Sequence, residues 1–291
     1  MAQVKQVRRG FWAQFFRLRR AWVGSIMVGI VALAAVFAPL LATADPLTQF
    51  RDGLSDVGTP LPPSERFLLG TDHLGRDMWS RVLYGAQISL LVSLIANVTA
   101  AFIGTMIGVL AGYYSGAVDT ILMRLTDVLL AFPAILLALG LGSVLRPSVQ
   151  VVIIILTVIT WPALARLARS QTLSVRSRAF VESARASGAN DFYIISRHII
   201  PHTITVTVVW ATLSFASTVL VESSLSFLGV GVPLPTASWG NMIAEGQTRY
   251  RIAPWMIIVP SAAILIATLG FNLLGDAVRD ALDPRTSQRL K

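Results

Sequence analysis

Charge is the scarcest resource in this sequence. Only 13% of its 291 residues are Asp, Glu, Lys or Arg, where a soluble chain carries about 25%. A water-facing surface of this size cannot be built from so few, which excludes a soluble enzyme and a disordered protein. The formal net charge of +9 does not restore a nucleic-acid-binding reading, because the positive charges collect in a few segments. Cysteine is absent, so there is no disulfide framework, thiolate metal site or cysteine nucleophile. The three histidines, His73, His198 and His202, are too few and scattered for an evident metal site. The two lysines, Lys5 and Lys291, stand at the ends and neither follows a glycine. The Gly-Lys-Ser/Thr of a phosphate-cradling loop is therefore missing, as are Gly-x-Ser-x-Gly and His-Glu-x-x-His. The expectation is no catalytic residue, no metal and no cofactor bound by this chain.

Apolar residues make up 54% of the chain, and the mean hydropathy is +0.67. Residues 21–44, 82–118, 128–145, 147–165, 198–221 and 252–275 carry no charge. A bilayer core about 30 Å thick needs about 20 apolar residues as helix, so these runs predict six spans near 22–42, 86–111, 118–142, 148–166, 204–227 and 255–276. Gly112–Gly116, with its two tyrosines, reads as an interfacial turn between the second and third. The first run has a basic flank and Ala42-Thr43-Ala44 resembles a cleavage site, but its length exceeds the 7–15 residues of a signal-peptide core. With both termini inside, the inner segments hold more than twice as many Lys and Arg as the outer ones, which keep Arg51, Arg66, Arg76, Arg81, Arg146, Arg249 and Arg251. That asymmetry predicts cytoplasmic termini. The segments are then 1–21 inside, 43–85 and 228–254 outside, a core of 86–276 with a long inner loop at 167–203, and an inner tail at 277–291.

Several features sit inside the runs. Arg124 and Asp127 lie in the first turns of the third span. Each charge costs about 2.5–3.5 kcal/mol at a helix centre, so the pair belongs near the inner interface or must neutralise itself against protein. Gly104, Gly108 and Gly112 recur every four residues, a pattern that lets a second helix approach closely, within the chain or from a partner. Pro133, Pro162 and Pro260 are expected to kink spans three, four and six. Ser214, Thr218, Glu222 and Ser226 form a polar stripe on span five. The hydroxyls either bond back to their own helix or line a water-accessible path. For Glu222 the cost of a carboxylate in lipid favours the path.

The inner loop reads as two short helices with a turn. Gly188 suits a left-handed helix end and Asn190 or Asp191 a cap. Small residues around Glu182–Ala189 make a low-relief surface that fits another protein's groove, while the six arginines of the loop equally suit anionic headgroups.

Glu182-Ser183-Ala184, then Gly188, then Ile200-Pro201 resembles the EAA motif of ABC import permeases, with Ser183 and Ile200 where the motif has Ala and Leu. Arg197–His202, Leu69–Asp77, Leu225–Gly231, Ser238-Trp239-Gly240 and the stretch from Gly275-Asp276 to Arg285 are similar to further signatures of the peptide branch. The chain thus resembles the C-type permease subunit of a dipeptide or oligopeptide importer, in the peptide/nickel family. The resemblance implies an all-α fold of the type I importer class in a bacterial inner membrane. It implies a homologous permease partner, two ATPase subunits that bind ATP and Mg, and an external substrate-binding protein that delivers peptide. It makes Glu182, Ser183, Ala184, Arg185, Gly188, Ala189 and Pro201 the coupling segment that docks on an ATPase. Nickel complexes and glutathione are alternative cargoes. A proton-coupled carrier using Asp127 and Glu222, or a scaffold without flux, are the competing classes.

Overall fold

The computed structural model describes residues 11, 12 and 14–282. Lys5, Arg8 and Arg9 of the basic flank, and Pro284 and Arg285 of the last signature, lie outside them. Among the described residues the only extended pairings are two isolated bridges, Leu54 with Pro60 and Thr71 with Asp77. Everything else with regular structure is helical.

Helix α1 (Arg19–Val36) is followed by one turn, α2 (Ala38–Leu41). After a loop, α3 (Met78–Tyr114) begins at Asp77, whose carboxylate accepts the Ser80 N–H at 2.9 Å; the end of the molecule that carries this loop is termed outer and the opposite end inner, after the orientation expected from the charge asymmetry. Next come α4 (Gly116–Ala131) and α5 (Ala134–Val144), then α6 (Val149–Arg176), capped by Ser148. The inner hairpin is α7 (Ala179–Ala186) and α8 (Asp191–Ile194). A π-helical turn, Ile195–Ile199, joins α8 to α9 (Ile200–Phe227). The last elements are the short outer α10 (Trp239–Gly246) and α11 (Trp255–Leu282).

Five helical stretches are long and apolar enough to cross a membrane, and the α4–α5 pair supplies a sixth crossing if it counts as one span. The all-α membrane fold read from the uncharged runs is the one observed. Its elements overrun the expected spans, because helices continue into water where polar residues can follow them. Helix α3 starts at Met78 and includes Gly112, so the turn expected over Gly112–Gly116 shrinks to Ser115 and Gly116, both at positive φ. Helix α6 continues ten residues past 166, about 15 Å at 1.5 Å per residue. The second hairpin helix runs on through Pro201 without a break. The π turn lies just ahead of that proline, whose missing N–H leaves a carbonyl of the turn without its helical partner.

The three prolines behave differently. Pro133 breaks its span outright: Phe132 is extended at φ −90° and ψ 137°, and the flanking helices bend by 91°, as the clash of a proline ring with the preceding residue requires. Pro162 and Pro260 lie within the continuous helices α6 and α11.

Helix α3 packs along α6, and α1 along α11. The first contact is the glycine face: a Cβ on Gly104 would lie 2.7 Å from the Trp161 carbonyl oxygen, and one on Gly112 2.8 Å from Thr172 Cβ. The small-residue pattern therefore serves packing within the chain. A second close crossing joins α1 to α11, where a Cβ on Gly24 would lie 2.7 Å from the Leu274 nitrogen. One apolar core lies among α1, α3, α9, α10 and α11 around Phe215, Trp239 and Met256. Another lies among α3, α5, α6 and α9 around Val92, Ile155 and Leu225.

Candidate functional site

The inner hairpin is built for rigidity beneath an exposed face. Helix α7 ends in a Schellman arrangement: the Ala189 N–H donates to the Ala184 carbonyl at 3.1 Å and the Gly188 N–H to the Arg185 carbonyl at 3.0 Å. Gly188 sits at φ +79°, where a side chain would strain the backbone. The Asn190 side chain then accepts the Tyr193 N–H at 2.8 Å and starts α8. Val181, Ile194 and Ile199 turn inward onto Val109, Tyr113 and Val175 at the inner ends of α3 and α6. The Tyr113 hydroxyl donates to Asp191 at 2.7 Å. What remains outside is Glu182, Ser183, Arg185 and Gly188, all exposed, with Ala184 and Ala189 half-buried. Pro201 is exposed at the head of α9. The turn thus offers small side chains and backbone on a base that is pinned to two membrane helices.

The polar stripe of α9 lies elsewhere than on a free face. Thr218, Glu222 and Ser226 are buried inside the chain, and Ser214 is half-buried. The Ser226 hydroxyl donates to Glu222 at 2.8 Å and the Ser223 hydroxyl at 3.4 Å, with Ser89 of α3 facing the same carboxylate. Ser214 shares a 2.8 Å hydrogen bond with Asn97 of α3. Asn97 also lines an apolar lateral groove of about 550 Å³ between α1, α3 and α9. In this conformation the stripe joins α9 to α3, because a carboxylate removed from water is held by hydroxyls of its own chain. Thr218 and others also bond back to carbonyls one turn earlier, so both uses of hydroxyls occur on one helix. Thr218, Glu222 and Ser226 are thus turned into the chain in this conformation.

Arg124 and Asp127 also differ from expectation. Asp127 accepts from Arg166 of α6 at 2.7 Å, and Asp119 makes a two-pronged pair with Arg169. The inner ends of α4 and α6 are thus strapped across the chain, and Arg124 takes no part in an ion pair among the described residues. Asp127 is thus taken by an arginine that reaches across from the neighbouring helix and not by the one three residues earlier on its own.

A third polar cluster was not among the sequence candidates. At the outer end Asp72, Arg76, Arg81 and Glu245 form a closed ionic network, with side chains 1%, 4%, 1% and 12% exposed. Each guanidinium touches both carboxylates: Arg76 and Arg81 both bond Asp72, Arg76 reaches Glu245 at 3.2 Å, and Arg81 reaches it at 2.7 Å. The Asp72, His73 and Glu245 ligand atoms fall within 4.8 Å of one another, yet two guanidiniums already cancel both carboxylates. No negative charge is left over to hold a cation. Burial pushes the His73 imidazole below its ordinary 6.5, against the pull of Asp72 and Glu245 and with the push of Arg76 and Arg81. The signal for the network was present in the sequence: in so acid-poor a chain, a carboxylate beside an apolar run needs a partner. Nothing in the spacing joins Glu245 to Arg81, which is 164 residues away.

Residues 104–288 match the family described as binding-protein-dependent transport system inner membrane component. Residues 7–63 match the N-terminal TM domain of oligopeptide transport permease C. A relative from Brucella suis biovar 1, named as a peptide transport system permease protein, is 44% identical over 94% of this chain and 90% of its own. A glutathione transport system permease protein of Escherichia coli O6:K15:H31 is 43% identical over 97% of this chain and 92% of its own. The fold is similar to that of a chain from the MetNI methionine ABC transporter in an inward-facing conformation, with TM-score 0.59, 19% identity, and coverage of 70% of this chain and 97% of that one. Sequence and fold agree, and the chain belongs to the binding-protein-dependent transport system inner membrane components, the permease subunits of ABC importers.

Proposed function

We propose that this chain pairs with a homologous permease subunit to form the path by which peptides cross the inner membrane, driven by two separate ATPase subunits. Peptide is the cargo carried by the names of the Brucella relatives. Glutathione, itself a small peptide, is the second reading, carried by the Escherichia relative. ATP and Mg are held by the ATPase subunits, since this chain has no phosphate-cradling loop. A substrate-binding protein delivers cargo to the outer face, and both termini lie in the cytoplasm. In this reading Glu182, Ser183, Ala184, Arg185, Gly188, Ala189 and Pro201 form the coupling segment. Ser214, Thr218, Glu222 and Ser226 act as an internal joint of the outer gate, so that Glu222→Leu lowers uptake at equal abundance.

The observation that carries the proposal is the hairpin: an exposed, small-residue turn whose apolar underside is buried on the inner ends of α3 and α6. Force applied to such a turn reaches two membrane helices without passing through a flexible loop. Space around Gly188 is open, so Gly188→Trp adds bulk and backbone strain to the docking face with little effect on the membrane core. The expected result is normal membrane abundance with loss of peptide-stimulated ATPase activity in the assembled complex. Normal stimulation would overturn the coupling role.

A further inference from the structure

The buried ionic network at the outer end has a position that stability alone does not explain. Replacing a buried ion cluster by apolar groups is often neutral or stabilising, so its value lies in what it joins. Asp72 and Arg76 belong to the turn 69–77, Arg81 to the first turn of α3, and Glu245 to the end of α10. The same turn reaches α11, because the Trp255 indole N–H donates to the Thr71 carbonyl at 2.9 Å.

Helix α10 packs on α9 and α11, with Gly246 close against Met256 of α11, and polar contacts fix it to α3 and the 69–77 turn at two points. At its start the Trp239 N–H donates to Ser89 at 3.3 Å and its indole to the Val82 carbonyl at 3.1 Å, while Gly240 lies close against Ser226 of α9. At its end the only ion pairs it makes among the described residues are those of Glu245. Immediately beyond, Gln247, Thr248, Tyr250, Arg251 and Ile252 are exposed. The network is also incompletely satisfied: Arg81 Nε is buried without a hydrogen-bond partner. Because both guanidiniums touch both carboxylates, Glu245 can shift between them without ever being left unpaired, which allows two discrete arrangements at low cost.

We propose that Asp72, Arg76, Arg81 and Glu245 are positioning residues that form a latch, setting α10 against the head of α3 and relaying movement between the exposed 247–252 segment and the membrane helices during the ATP-driven cycle. This rests on the transport reading above. The latch acts through α10, and it neither contacts cargo nor supplies binding energy to it.

The test uses the assembled complex in nanodiscs; this chain has no cysteine of its own, so label read on this subunit after it is separated from its partners reports the single introduced thiol. Tyr250→Cys reports on the outer segment and Ser183→Cys on the inner hairpin. Maleimide labelling rates are compared between the nucleotide-free complex and the complex trapped with MgATP and vanadate. With Glu245 intact, both thiols change rate by about tenfold, a usual size for coupling between sites. Glu245→Gln abolishes the change at position 250 and leaves it at position 183, and Glu245→Asp restores most of it. Hydrogen exchange in residues 239–252 of Glu245→Gln quickens about tenfold or more, as expected for local opening. An unresponsive position 250 beside a responsive position 183 in the parent chain, an equal response in Glu245→Gln, or loss at both positions in Glu245→Gln would each overturn the latch. If Glu245→Gln fails to assemble, Arg76→Lys carries the same readings. If neither thiol responds in the parent chain, the transport reading falls, and exchange in 239–252 still decides whether the latch holds α10.

Discussion

At the outer end, four buried charges tie one turn to the head of α3 and the end of α10; at the inner end, apolar contacts and a single tyrosine bond pin a hairpin whose turn is exposed. The outer joint is specific and brittle, since its charges balance two against two and removing any one leaves an uncompensated charge in a dry site. The inner joint spreads its contacts over Val181, Ile194 and Ile199, so no one group decides it. Charge is affordable in a buried site where each group has a fixed partner, while the exposed turn between α7 and α8 rests on an apolar underside and leaves its charges, Glu182 and Arg185, in the open.

Substitutions can break this contrast or sharpen it. Arg81→Met leaves Asp72 and Glu245 sharing one arginine, and the loss expected from breaking a buried pair is about 3–5 kcal/mol, seen as a lower thermal midpoint of the purified complex. The double variant Arg81→Met, Glu245→Gln restores neutrality and should recover much of that loss; an additive double variant would contradict the charge-balance account. Gly108→Leu attacks the packing beneath the inner joint, where a Cβ would already lie 2.6 Å from Ala168 Cβ. Overpacking there is expected to cost about 1–3 kcal/mol or more, read as reduced folded yield from the membrane. Tyr113→Phe removes only the bond to Asp191 and should cost about 1 kcal/mol, detectable as faster hydrogen exchange confined to 189–195.

The smallest effect concerns pH. His73 has its affinity for protons lowered by burial in the folded outer turn, so the open turn binds the proton more tightly. The closed turn is therefore fully favoured above the ordinary 6.5 and loses stability as pH falls below it. Amide protection in 69–77, taken relative to the intrinsic exchange rate at each pH, should fall between pH 7.5 and pH 5 in the parent chain and stay flat in His73→Gln; equal pH dependence in both would contradict this.

The membrane fold was legible because missing charge is a long-range signal that no local detail disturbs. The uncharged runs located the five long apolar helices and the bent α4–α5 pair, and the four-residue glycine spacing marked a packing face. Helix ends were less legible, since residues 78–85 and those past Ala165 continue as helix once Asp77 caps the start and arginines pair with α4. The hairpin could be read from one local pattern, Ser187-Gly188-Ala189-Asn190, because its caps lie within a few residues of one another. Partners across the chain could not be read that way. Asp127 chose Arg166 over Arg124, and Glu245 chose arginines far back in the sequence, because three-dimensional proximity settles ion pairs and spacing does not record it.

Helix α3 connects the two joints. Its 37 residues contain no proline, and at 1.5 Å per residue they span about 55 Å. One head carries Arg81, and the far end carries Tyr113 beneath the hairpin. An unbroken boom of that length magnifies a small rotation at one tip into a displacement at the other: a tilt of about 5° carries the far end by about 5 Å, close to the pitch of a single helical turn.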